Sequence, residues 1–386
     1  MRFGIFLPPM HKTGTNPTLS LHRDLDLVTH LDQLGFHEAW IGEHHSAGVE
    51  LIASPEVFIA AAAQRTTHIK LGTGVNSLPY HHPLILADRI VMLDHLTRGR
   101  AMFGAGPGQL TSDAAMMGID PNSQRPRMAE AFDVIMRLFR GETVTKHTDW
   151  FTCQDAVLQM KPYSDFDVVV ASSMSPAGSK LAGRYGTGLI TIAATEPMAF
   201  QVLDYNYNVW QEEAQLSGHS ADRDKWRLMG PMHIAETYEQ AKKNCEYGLQ
   251  WVFNYLSHII PTGDPSAPPP PTDYSDFIDY ANETGRMVIG TPEMAIAQIK
   301  RLQDKTGGFG CYMQLGADIA DWRETLRSYE LFAEQVMPHI DGQAAAPQAS
   351  YDDVCGQGSK WVDATLGAQL TELGSYEAER AARSAG

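Results

Sequence analysis

Along the first 340 residues the chain repeats one pattern: a short apolar run, then a longer segment whose apolar residues recur every three or four positions. RFGIFL, from Arg2 to Leu7, is the first run, and the segment behind it spaces Leu21, Leu25, Val28, Leu31 and Leu34 along one helical face. EAWIG, HIKLGTGV, RAMFGAG, DVVVAS, GLITIAA, WRLMGPMHIA and FGCYMQLG read as the further strands. Helical segments alternate with them, one opened by Ser54 and Pro55, others over HPLILADRIVMLDHLTRG, Pro126 to Arg140, PAGSKLAGRYG, Glu196 to Leu216, YEQAKKNCEYGLQWVFNYL and WRETLRSYELFAEQVMPHI. That makes eight strands, each followed by a helix.

Strands buried on both faces and joined by helices form a parallel sheet, and eight such units are what a closed barrel requires. The expected fold is therefore α/β: a single (β/α)8 TIM-type barrel with insertions and a C-terminal extension. An open doubly wound sheet competes with it, but no strand–GxGxxG–helix fingerprint is present. GAGPG, Gly104 to Gly108, carries Pro107 where a helix N-terminus needs free N–H donors, and it reads as a tight turn.

Two segments fall outside the repeat. A Pro-rich insertion at about 260–285, with four consecutive prolines ending at Pro271, reads as a surface excursion or active-site lid. Residues 341–386 read as a tail, partly helical or mobile, so the barrel is assigned to residues 1–340.

The formal charge of −16 repels phosphate backbones and anionic lipid heads, which excludes nucleic acid and membrane surfaces as partners. The four cysteines show no CxxC spacing and no stretch approaches a membrane span, so a reducing cytoplasm is expected. The 43% hydrophobic content is enough for a large core.

In such a barrel the chemistry gathers at the carboxyl ends of the strands. Glu43, His44 and His45 end the second strand, Asn76 and Ser77 the third, Gly106 to Gln109 the fourth, and Ser172, Ser173 and Ser175 the fifth. Zinc is disfavoured, because adjacent residues on a strand point to opposite faces and His44 and His45 cannot both reach one ion; His81 and His82 repeat the difficulty. ASSMSPAGSK sets hydroxyls and backbone N–H groups before a helix, which suits either an anion pocket or simple capping by Ser175.

WIGEHH, LGTGVNSLPYHHPLILADRIVMLDHLTRGR, FGAGPG, VVVASSMSPAGSKLAGRYGTG, IGTPEMAIAQI and SYELFAEQVMP together resemble the bacterial luciferase-like flavin-dependent monooxygenases, over roughly residues 1 to 340. Within them, LDHLTRGRAMFGAGPG, DFIDYANETG and TGGFGCYM are similar to the limonene 1,2-monooxygenase type. The resemblance implies a barrel that binds reduced flavin (FMN or FAD) at its mouth and reacts it with O2 to a flavin hydroperoxide. It implies His44 as the catalytic histidine beside the flavin, with Glu43 orienting it. It also implies a non-proline cis peptide at Gly74 and Val75 under the ring, with Asn76 at its polar edge and Gly106 nearby, and a phosphate turn of Ser172, Ser173 and Met174 with Arg127 as charge partner; Arg125 is close in sequence.

Few basic contacts in that turn imply loosely held flavin, supplied by a separate NAD(P)H flavin reductase. Pro8, Met10, Tyr80 and Met232 are candidate linings of a pocket for a small apolar, terpene-like or alicyclic substrate, oxygenated by epoxidation or by Baeyer-Villiger insertion. A homo-oligomer, dimeric or higher, follows by analogy. Two other readings stay open at this point: a deazaflavin-dependent hydride transfer on the same barrel, and a non-catalytic flavin-binding protein.

Overall fold

A computed structural model describes residues 1–259 and 270–385. The chain divides into two compact units, Met1–Met337 and Pro338–Gly386. In the first unit the strands run in chain order as β1 (Arg2–Met10), β2 (Glu38–Ile41), β3 (Lys70–Thr73), β4 (Asn76–Ser77), β5 (Ala101–Gly106), β6 (Val144–His147), β7 (Thr152–Ala156), β8 (Val168–Ser172), β9 (Gly188–Thr191), β10 (Trp226–Gly230), β11 (Met232–Ile234), β12 (Val288–Gly290) and β13 (Cys311–Ala317).

The main sheet runs β3-β2-β1-β13-β10-β9-β8-β5, and a further β3–β5 pairing closes it into a parallel eight-stranded (β/α) barrel. β4 continues the third strand beside β5. The helices Pro17–Gln33, Pro55–Ala63, Pro83–Thr97 and Gln124–Phe139 lie behind the first four barrel strands. Two of them start where expected, because proline at the first helical position has no N–H to leave unsatisfied and its φ is already helical.

The barrel interior is apolar in its middle, where Trp40, Met102, Val169, Ile190, Met229 and Met313 belong to one buried cluster. Its amino-terminal end is ionic. Arg227 makes a bidentate pair with Glu38 (Nε–Oε2 3.0 Å, Nη2–Oε1 3.1 Å) and reaches Asp167 at 2.8 Å, while Trp40 Nε1 donates to Glu38 Oε2 at 2.8 Å. Burial opposes the charge on Glu38, but the adjacent Arg227 and Arg2 guanidiniums overcome it and hold the carboxyl down at about 2.

Several elements differ from the sequence expectation. WRLMGPMHIA is two strands: Pro231 cannot donate to the ladder, so β10 ends there and β11 pairs with β12 instead. The helix expected over Tyr238 to Leu256 is also two, Tyr238–Cys245 and Leu249–Ile259. Gly248 sits at the break against the Asp318 carbonyl, where a Cβ would collide. The antiparallel β6–β7 hairpin and the helix Pro292–Thr306 had no counterpart in the strand-helix count.

Residues 260–269, with the first two prolines of the run, lie outside the described residues. The end of the expected insertion is ordered as the helix Tyr274–Glu283, capped by the Asp273 carboxylate on the N–H groups of Ser275 and Asp276. The second unit holds the helices Ala345–Gly356 and Lys360–Ser384, neither of which has a buried residue.

Candidate active site

β2 ends at Ile41, and the following loop folds back across the end of β1. His44 N donates to Ile52 O (3.1 Å), His11 N to Val49 O (3.1 Å), and Met10 forms an antiparallel bridge with Glu50. These contacts set the Glu50 carboxylate against the His44 ring, with Nε2 to Oε2 at 2.9 Å. Asp113, in the Thr111–Met116 helix behind β5, reaches the other ring nitrogen, with Nδ1 to Oδ2 at 3.3 Å. Burial disfavours a charge on this ring, but hydrogen bonds and charge from Asp113 and Glu50 outweigh it and raise the His44 pKa to about 9. The two carboxylates thus favour the imidazolium form of His44.

Glu43 belongs to a different cluster. Its Oε1 accepts from His45 Nε2 (2.9 Å) and His81 Nε2 (2.8 Å), and its Oε2 accepts from Ser77 N (3.0 Å) and Asn76 Nδ2 (3.4 Å). Burial pushes this carboxyl up, yet the two imidazoles and the Ser77 N–H override it and hold the pKa at about 2. Glu43 therefore does not orient His44, contrary to expectation. The reason is elementary: consecutive side chains leave an extended backbone in opposite directions, so Glu43 shares a side with His45 and not with His44.

The Gly74–Val75 peptide bond is cis, as the resemblance implied. Gly106 lies against Val75, since a Cβ there would collide with Val75 Cγ2. Asn76 is fully buried; its Nδ2 also donates to Glu56 Oε1 (3.2 Å), and its Oδ1 has no donor among the described residues. Tyr80 accepts from Gln124 Nε2 (3.0 Å) and meets His45 edge-on at 5.9 Å. Burial, then the charges of Asp113 and Glu43, push its phenol up to about 12.

Of the other expected residues, Met10 joins the buried cluster of the barrel interior, and Pro8 packs at the end of β1 against Gly42. Met232 is buried in β11, beside Val288, on the strand that has left the barrel sheet. Ser172 is turned away from the exposed turn: its hydroxyl meets that of Ser179 at 3.2 Å and both are buried. Ser173 and Met174 are exposed, with Ser173 O accepting from Asn206 Nδ2 (2.7 Å). Arg127 is half-buried, 3.8 Å from Asp149 and 5.5 Å over the Trp150 ring, both from the β6–β7 turn, whereas Arg125 is exposed.

Sequence reasoning missed Glu50, Asp113 and the aromatic face of the Leu249–Ile259 helix. Trp251, Phe253, Tyr255 and Leu256 are partly buried and pack against the same cluster as Val75, Ala171 and Ile192. Tyr255 donates to Glu50 Oε1 at 2.9 Å. No local signal marks Asp113, whose partner His44 lies 69 positions away.

The sequence matches the family model of luciferase-like monooxygenases over residues 1–307. It is 51% identical to limonene 1,2-monooxygenase of Rhodococcus erythropolis, over 99% of this chain and 97% of that one. It is 42% identical to 4-hydroxyprotoasukamycin monooxygenase of Streptomyces nodosus subsp. asukaensis, over 92% and 96%. In fold it is similar to the oxygenating constituent of 3,6-diketocamphane monooxygenase of Pseudomonas putida, a type II Baeyer-Villiger monooxygenase solved in complex with FMN (TM-score 0.71, 22% identity, 88% and 98% covered). A parallel barrel with its polar clusters at the strand ends, matched by a family model over most of its length and by a relative over nearly all of it, belongs to the luciferase-like monooxygenase family.

Proposed function

We propose that this chain is the oxygenase component of a two-component system. In this reading it takes reduced flavin, as FMN, from a separate NAD(P)H flavin reductase, and uses O2 to oxygenate a small apolar substrate of the terpene or alicyclic class. The observation that carries it is His44, a buried imidazole with one carboxylate on each ring nitrogen, beyond the carboxyl end of β2 in a barrel with an apolar interior. The limonene activity of the 51% identical relative supports the substrate class, and the FMN complex of the fold neighbour supports the cofactor.

The residues present fit a flavin. Val75, Ala171 and Ile192 offer apolar surface, the buried Asn76 Oδ1 is an acceptor in want of a donor, and Ser173, Met174 and Arg127 are the candidates for the phosphate. When bound, reduced flavin supplies the electrons that activate O2. The chain's own part is to exclude water with the aromatic face of the Leu249–Ile259 helix and to hold a fixed positive charge at His44, where negative charge develops. Glu50 and Asp113 keep that charge in place.

The test is a panel of cyclic alkenes and cyclic ketones incubated with the protein, a generic flavin reductase, NADH and O2, with products read by mass. Gain of one oxygen atom by an alkene or a ketone is the expected result. Ketone reduction without oxygen gain, with deazaflavin as the cofactor, would overturn it.

A further inference from the structure

Both nitrogens of His44 are already engaged, and one of its partners is itself held from outside the loop. Glu50 divides its oxygens: Oε2 faces His44 at 2.9 Å, and Oε1 accepts the Tyr255 hydroxyl at 2.9 Å. Glu50 is 5% exposed, so without that hydroxyl one oxygen of a buried carboxylate loses its donor. Tyr255 comes from the Leu249–Ile259 helix, 205 positions away in sequence, and its ring stacks on Trp251 (6.4 Å, 12° between planes). The same two rings pack against the barrel's apolar cluster.

We propose that Tyr255 is a positioning residue that ties the aromatic face of the Leu249–Ile259 helix to His44 through Glu50. An apolar molecule settling against Trp251 and Tyr255 bears on the ring whose hydroxyl fixes Glu50, and so on the place of the His44 charge. The groups facing His44 are Glu50 from its own loop, Asp113 from the helix behind β5, and Tyr255 at one remove from the third element. Burial and the neighbouring Glu50 charge push the Tyr255 phenol up, so it remains a donor throughout the working range. The inference rests on the reading that oxygenation takes place at this mouth.

The test compares Tyr255→Phe with Glu50→Gln. The His44 ring is titrated by nuclear magnetic resonance in the flavin-free protein, and product and hydrogen peroxide are counted against NADH with limonene as the probe substrate. Tyr255→Phe keeps the ring and its packing, so circular dichroism and KM should stay as in the parent. Glu50 released from its anchor should leave its place beside His44, so the His44 midpoint should fall by about one unit, a tenfold change in proton affinity, and by more in Glu50→Gln. A rise in Tyr255→Phe would mean that Glu50 stays in place unaided and would overturn the proposal. Product per NADH should fall while peroxide rises. A parent-like titration in Tyr255→Phe beside a shifted Glu50→Gln would overturn the proposal, as would no shift in either. A shifted titration with unchanged product yield would uphold the positioning role and overturn the mouth as the place of reaction.

Discussion

His44 Nε2 lies 2.9 Å from Glu50 Oε2, a carboxylate of its own loop, although Glu43 is its neighbour along the chain. The charge that Glu50 and Asp113 maintain on this ring is the basis of the first two predictions.

His44→Gln keeps a hydrogen-bond donor between Glu50 and Asp113 but removes the positive charge. Product formation should fall about 100-fold, in the range found for loss of a positioned acid or base. NADH consumption through the reductase should continue, with oxygen leaving as hydrogen peroxide. Gas chromatography of product and a peroxidase assay read the two sides; unchanged product yield would remove His44 from the reaction.

Stability should decline on the alkaline side. The His44 pKa rises from 6.5 to about 9 on folding, so its contribution is fully present below pH 6.5 and is lost as the pH climbs through 9. His11, between Asp24 (2.9 Å) and Asp318 (3.2 Å), is raised to about 9 as well and acts in the same direction. Each contributes up to about 3 kcal/mol. Urea denaturation between pH 6 and 9.5 should show the slope, and His44→Gln or His11→Gln should each flatten it.

Gly106→Ala places a methyl group against Val75 Cγ2. Overpacking of this kind costs roughly 1–3 kcal/mol. Since Val75 packs against the barrel cluster, FMN affinity should drop along with stability, measured by fluorescence titration and by denaturation midpoint.

Arg127→Ala should weaken FMN binding roughly tenfold, or about 1.4 kcal/mol, with little change in stability, because its ion pair with Asp149 is long at 3.8 Å and Asp149 is exposed. The exposed Arg125, replaced in the same way, should leave the affinity unchanged. Equal effects from the two would point to general charge and not to a phosphate contact.

The barrel was legible because its signal is local: an apolar run followed by a helical period needs only a window of residues, and the strand ends follow from it. The breaks were not, since Gly248 interrupts its helix for the sake of Asp318, seventy residues on, and Pro231 ends β10 in favour of a partner strand near Val288. The site followed the same division. WIGEHH located His44 at the mouth, but its partners Glu50 and Asp113, and Tyr255 behind Glu50, converge from a loop and two helices, and no spacing rule connects them. Alternation along the extended chain already separated His44 from His45; applied to Glu43 as well, it assigns that carboxylate to His45.

The ion pair of Arg227 with Glu38, each about 1% exposed, seals the end of the barrel opposite the site. The barrel is thus a cup and not a pipe. Above it Trp40, Met229 and Met313 are buried in turn, so the bottom of the cup is solid. Removing either partner would leave a buried charge unpaired at that closed end.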